Sequence, residues 1–140
     1  MIIPPKEGVL GTRTIGELLQ AAQARLDRLQ PRDALVESRH GALMVDTRCQ
    51  EARVETGVIP GSVHVPLSVL YWRLDPSSGY ADTRLSDPSR RIILFCADGY
   101  SSSLAAATLR DLGFDRATDI VGGFNGWLAD GLPVERPADG

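Results

Sequence analysis

The segment Cys96-Ala97-Asp98-Gly99-Tyr100-Ser101-Ser102 is the part of the chain whose residue types and spacing could do chemistry. A thiol is followed within a few residues by a glycine, a run of hydroxyls and an Ala-rich stretch with Leu104, Leu109 and Leu112 at helical spacing. Just before it, Arg91-Ile92-Ile93-Leu94-Phe95 reads as a buried strand. A tight strand-to-helix loop can curl its backbone N–H groups inward, and Gly99 suits a position of unusual φ and ψ. The helix N-terminus, capped by Ser101 or Ser102, adds partial positive charge. Both effects favour thiolate over thiol, so Cys96 is expected to be a nucleophile of lowered pKa. Ala97, Asp98, Gly99, Tyr100, Ser101 and Ser102 then form the ring that meets a terminal sulfur or an anionic donor. The plain alternative is that Cys96 is a buried strand residue, as free cysteines often are.

These features must be carried by a chain of 140 residues, the size of one domain with a core of its own. Hydrophobic residues make up 43% and charged residues 24%, which suits a soluble globular protein. The formal net charge of −3 gives no bulk attraction for nucleic acid or for an anionic membrane surface. Two cysteines, Cys49 and Cys96, are too few for a disulfide scaffold. They show no ligand spacing with His40 or His64, so neither a metal nor a cofactor is expected. The opening MIIPPKEGVL lacks the basic and long apolar regions of a signal peptide. A cytoplasmic protein with reduced thiols is the expectation.

The elements that position Cys96 follow from pattern. Residues 1–13, with two prolines and two glycines, read as a flexible arm. Thr14 and Glu17 form a capping-box pair opening a helix over 14–30, with Ile15, Leu18, Leu19, Ala22, Leu26 and Leu29 on one face. Pro31 ends it and opens the next helix; the main domain is expected over 31–134, with a tail over 135–140. Leu43-Met44-Val45-Asp46, Val63-His64-Val65 and Ala117 to Val121 read as further strands, and 75–88 as a long loop. Short strands alternating with helices imply an α/β domain with a mostly parallel sheet. Cys96 then stands at a strand's carboxyl end, where such sheets gather function.

Four blocks in this order resemble the rhodanese family in its single-domain form. Leu43 to Arg48 is similar to a strand ending in Asp-x-Arg, and Gly57-Val58-Ile59-Pro60-Gly61-Ser62 to Gly-His-Ile-Pro-Gly-Ala. Cys96 to Ser102 resembles the active-site loop, and Gly122-Gly123 through Trp127, Gly131 and Pro133 the closing block. The resemblance implies a rhodanese-like α/β fold with a five-stranded, mostly parallel sheet flanked by helices. It also implies a sulfurtransferase or sulfur carrier that holds sulfane sulfur on Cys96 as a persulfide. A small-molecule or protein persulfide would be the donor and a thiol the acceptor. Asp46, Arg48, Gly122, Gly123 and Trp127 are carried over as determinants of the fold.

The departures bear on the donor. Ser101 stands where many members have Arg, and Asp98 puts a carboxylate where some thiosulfate-using members carry basic residues. A dianion such as thiosulfate is therefore expected to bind poorly. Arg53, four residues before Gly57, is a candidate for the missing cation, against the plainer reading of a solvated surface Arg. A phosphatase or arsenate reductase would need Cys-x5-Arg, and neither Ser101 nor Ser102 is Arg. A non-catalytic binding or regulatory module of the same fold is the other alternative.

Overall fold

A computed structural model describes residues 11–138 of the chain. Most of the expected N-terminal arm (1–10) and the last two residues of the tail lie outside the described residues. The elements are α1 (Ile15–Ala24), α2 (Pro31–Arg39), β1 (Leu43–Asp46), α3 (Gln50–Thr56), β2 (Val63–His64), α4 (Leu70–Leu74), β3 (Ile92–Phe95), α5 (Ser101–Asp111), β4 (Ala117–Asp119) and α6 (Gly123–Ala129). The strands lie in the order β2-β1-β3-β4 and every pair is parallel. Asp46 is in register with Phe95, and Leu94 with Asp119, so the ends of β1, β3 and β4 come out together.

The sheet has four strands among the described residues, which corrects the expectation of five. The place of a fifth is held by Leu29 alone. Its N–H donates to Asp119 O at 3.0 Å, and it accepts from Val121 N–H at 2.9 Å. Pro31 follows two residues later with no N–H to give and its φ already set for the first turn of α2. Extended pairing therefore stops after one bridge. The same bridge shortens α1. Helical spacing continues through Leu26 and Leu29, but the helix ends at Ala24, because Leu29 cannot be both helical and paired to β4. Its start follows the sequence signal: Thr14 Oγ1 accepts the Glu17 N–H at 3.1 Å, and the Glu17 carboxylate accepts the Thr14 N–H at 2.8 Å.

Side chains alternate across the sheet with period two and feed two cores. Leu43, Val45, Ile92, Leu94 and Ala117 face one, with Leu70, Leu74, Ala105, Ala106, Leu109 and Phe114. Met44, Ile93 and Phe95 face the other, with Ala34, Ile120, Phe124 and Trp127. Ala105 and Ala106, both fully buried, let the α5 backbone approach β3 closely, which fixes the helix start beside the strand end. The Trp127 indole N–H donates to Pro133 O at 2.8 Å and ties the chain's return across α6. Segment 75–91 contains no helix or strand, and Leu85 is its buried anchor. No described helix is long and apolar enough to cross a membrane.

Candidate active site

Cys96 is the first residue past β3. Its carbonyl accepts the Phe124 N–H at 2.8 Å, and the Ala97 carbonyl accepts the Asn125 N–H at 3.0 Å. Both carbonyls are thus turned toward the start of α6. The loop then folds back so that the Gly99 N–H donates to Cys96 Sγ at 3.2 Å. Two glycines make this return possible. Gly99 has φ +85°, and a Cβ there would lie 2.9 Å from Gly122 N. Gly123 has φ +58°, and a Cβ there would lie 2.5 Å from Cys96 O and 2.8 Å from Gly99 N. The cysteine loop therefore rests directly on the backbone of the Gly122-Gly123 turn, with no room for a side chain between them.

Cys96 is buried, with 8% of its surface exposed. Burial pushes the Cys96 thiol up. The hydroxyls of Ser102 and Ser101 and the N–H groups of Ser102 and Gly99 oppose it, and the net result is a lowered pKa. Ser102 Oγ lies 3.3 Å from Sγ. Behind it is a buried polar cluster. Asp119, at the end of β4 and fully buried, accepts from Ser102 Oγ at 2.8 Å and from Ser103 Oγ at 2.7 Å, both on Oδ2. Arg28 Nε donates to Asp119 Oδ1 at 2.8 Å, and its other end donates to Gly99 O at 3.0 Å.

Comparison with known proteins identifies the family to which a domain with this loop belongs. The Rhodanese-like domain family matches residues 24–130. The chain belongs to that family. A thiosulfate sulfurtransferase from Pseudomonas syringae is 34% identical over 100 residues, covering 71% of this chain and 85% of the relative. A sulfurtransferase from Allochromatium vinosum is 27% identical, covering 68% and 79%. Other curated relatives match over less of their own length: the chain spans 18% of an Arabidopsis thaliana adenylyltransferase and sulfurtransferase, and 45% of thiosulfate sulfurtransferases from Actinobacillus pleuropneumoniae. Among solved structures, a protein of unknown function from Rhodopseudomonas palustris, described as a possible tyrosine phosphatase, superposes with TM-score 0.82 at 31% identity, covering 95% of this chain and 99% of that one. The polysulfide-sulfur transferase homodimer of Wolinella succinogenes gives TM-score 0.66 at 25% identity, covering 88% and 87%.

Within this rhodanese-like domain the expected residues fall as follows. Ala97, Asp98 and Tyr100 are exposed, Gly99 and Ser102 buried, and Ser101 half-buried. The Asp98 carboxylate accepts from Asn125 Nδ2 at 2.7 Å and has no cation among its partners in the described residues. Ser101 and Ser102 are inside α5 and not at its cap, which is Tyr100, without a side-chain hydrogen bond. Arg53 is buried on α3 rather than solvated. Its Nη1 donates to Gln50 Oε1 at 2.7 Å, and its Nε lies 3.4 Å from Asp46 Oδ2 without a hydrogen bond. Asp46 is already matched by Arg48, which donates to both its oxygens at 2.9 and 2.8 Å and stacks its guanidinium on Phe124 at 3.8 Å. Cys49 is exposed, at the cap of α3. Three residues of the site escaped the sequence reading: Arg28, Ser103 and Asp119. Only Asp119 carried a signal, an acidic residue ending the strand next to that of Cys96.

Proposed function

We propose that Cys96 accepts sulfane sulfur as a persulfide and passes it to a thiol acceptor. The observation that carries this reading is the sulfur's own environment: a buried Sγ facing the Gly99 N–H and the Ser102 hydroxyl, with its pKa lowered despite burial. The Cys96 thiolate attacks the terminal sulfur of a donor persulfide. The new S–S bond forms as the donor's S–S bond breaks, and the donor leaves as a thiolate. An acceptor thiolate then attacks the terminal sulfur of Cys96–S–S⁻ and releases the Cys96 thiolate. The sulfane sulfur moves without net oxidation or reduction. The donors of the loop, Gly99 N–H and the hydroxyls of Ser101 and Ser102, support the anionic terminal sulfur between the two steps.

Donor choice follows from charge. Asp98 is the loop's only charged side chain and is exposed, so a persulfide of low charge is favoured over a small dianion. Arg53 is the candidate for an anion contact. Arg48 already matches Asp46, so Arg53 can turn toward a donor without stranding a buried carboxylate. Phosphoryl chemistry, which the description of the Rhodopseudomonas relative raises, is disfavoured because Cys96 to Ser102 contains no Arg to clamp a phosphate.

The test is intact mass after incubation with thiosulfate, inorganic polysulfide and glutathione persulfide in turn. The expected product carries about 32 Da more, one sulfur atom, on Cys96, and it disappears on adding a thiol acceptor. Cys96→Ser should take up nothing while keeping its fold. No addition from any donor, or addition undiminished in Cys96→Ser, would overturn the reading.

A further inference from the structure

The buried cluster behind the sulfur fills its carboxylate with donors, about four for its four lone-pair sites. Asp119 Oδ1 receives Arg28 Nε, and Oδ2 receives Ser102 Oγ and Ser103 Oγ, with Arg28 Nη2 also 3.2 Å away. Ser102 has a single hydroxyl proton and two neighbours able to take it, Asp119 Oδ2 at 2.8 Å and Cys96 Sγ at 3.3 Å. When the O–H points to Asp119, the Ser102 oxygen can only accept on the sulfur side, and it faces a protonated thiol. When it turns to the sulfur, it stabilises a thiolate or a persulfide anion. Asp119 then keeps the two contacts of Arg28 and that of Ser103, whose own proton also has Gly99 O as a longer acceptor at 3.2 Å, so it is not left unpaired.

We infer that Ser102 is a two-position hydroxyl switch, and that Asp119, Arg28 and Ser103 are positioning residues that set which of its two neighbours accepts the hydrogen bond its O–H donates. Asp119 competes with the sulfur. Arg28 and Ser103 weaken that competition by occupying the carboxylate. The inference rests on the proposed reading only in taking Cys96 as the nucleophile. The buried location gives the competition its force, since the Asp119 side chain is 0% exposed and the Arg28 side chain 19%. The charged groups packed around the switch are few. Arg28 comes from the segment after α1, Asp119 from β4, and Asp98, exposed, from the loop itself. On the β1 and α3 side, Asp46, Arg48 and Arg53 are engaged with one another. Tyr100 is exposed, and α6 contributes only the neutral Asn125.

Two substitutions move the switch in opposite directions. In Asp119→Asn the amide keeps an oxygen for Arg28 and turns an NH2 toward Ser102 and Ser103. The acceptor of the Ser102 proton becomes a donor to its oxygen, and the proton goes to the sulfur. In Ser103→Ala the carboxylate loses a competing donor and holds the Ser102 proton harder. Alanine is a good helix residue in the first turn of α5 and adds no atoms to this buried position.

The experiment is the pH profile of Cys96 alkylation by iodoacetamide in a Cys49→Ser background, with circular dichroism to verify the fold. It needs no sulfur donor, so it succeeds or fails independently of the sulfur-transfer reading. The expected midpoint falls by about one pH unit in Asp119→Asn, tenfold in the thiolate equilibrium, and rises in Ser103→Ala. Ser102→Ala raises the midpoint by itself and abolishes the Ser103→Ala shift. An unchanged or lowered midpoint in Ser103→Ala would overturn the switch, whether or not Asp119→Asn folds. So would a Ser103→Ala shift that persists without the Ser102 hydroxyl, because the effect would then bypass Ser102.

Discussion

Replacing Gly123 by alanine tests the claim that the cysteine loop is held in shape by the glycine turn beneath it. Two costs are separable. The first is conformational: at φ +58° an L side chain is strained by about 1–2 kcal/mol. The second is contact. The added Cβ would lie 2.5 Å from Cys96 O, 2.8 Å from Gly99 N and 2.9 Å from Ala97 C, all backbone atoms that cannot swing aside. Relief requires the loop to lift from α6. That loosens the Phe124 N–H and Asn125 N–H bonds to the Cys96 and Ala97 carbonyls, at roughly 0.5–1.5 kcal/mol each. With overpacking of about 1–3 kcal/mol, the total is about 3–8 kcal/mol. Gly79→Ala is the control. It has a similar positive φ, +87°, but nothing within 4 Å of its would-be Cβ, so it should lose only the conformational part.

Urea unfolding of the three proteins reads the stability difference, and alkylation of Cys96 at neutral pH reads the loop. Gly123→Ala should unfold at markedly lower urea than Gly79→Ala, and its Cys96 should react more slowly because Gly99 N–H no longer reaches the sulfur. Equal losses in the two variants would show that the close approach carries no energy. A destabilised Gly123→Ala with unchanged Cys96 reactivity would show that the turn supports the fold but not the thiolate.

Cys96 should alkylate faster than exposed Cys49 at neutral pH, measured by peptide mapping, because its pKa is lowered from the ordinary 9.0. A thiol depressed in the folded state adds stability that grows as pH rises from the folded pKa toward 9.0 and is lost as pH falls through the folded pKa; in Cys96→Ser that part of the pH profile should be absent. Asp98→Asn should lower the apparent KM for thiosulfate several-fold in steady-state assays at low salt, with the gain shrinking near 0.1 M salt, where screening sets in over about 10 Å. Asp46→Asn should cost about 3–5 kcal/mol in urea unfolding, because it leaves the buried Arg48 guanidinium without its carboxylate.

What the sequence made legible is what neighbouring residues decide among themselves. The capping box of α1 needs only Thr14 and Glu17, three positions apart, and it forms. The Asp46–Arg48 pair spans two positions, and the Cys96 loop with its Gly99 contact spans three. Features that failed depend on distant partners. Leu29 reads as helical until β4 draws it into a bridge, and no local signal announces that. Arg28 and Asp119 are 91 positions apart, and their pairing follows only once the bridge sets the register of that segment beside β4. Arg53 reads as solvated because an arginine on a short helix usually is; in the fold it is buried, its Nε 3.4 Å from Asp46 of a different element.

Ser101 and Ser102 show how a sound local rule can misplace a functional group. Serine before an Ala-rich helix reads as a cap, its oxygen accepting one of the first free N–H groups. Here the helix begins one residue earlier, at Ser101, and Tyr100 at the cap offers no side-chain acceptor. The Ser102 oxygen turns inward to Asp119 and the sulfur. The N–H groups of this turn are consequently not consumed by a serine cap, and those of Gly99 and Ser102 act on Cys96. A chain that capped α5 in the ordinary way would gain about 1 kcal/mol of helix stability and lose donors that lower the pKa of its cysteine. The unfilled cap is thus part of the site, and it is visible only when the start of the helix is known to the residue.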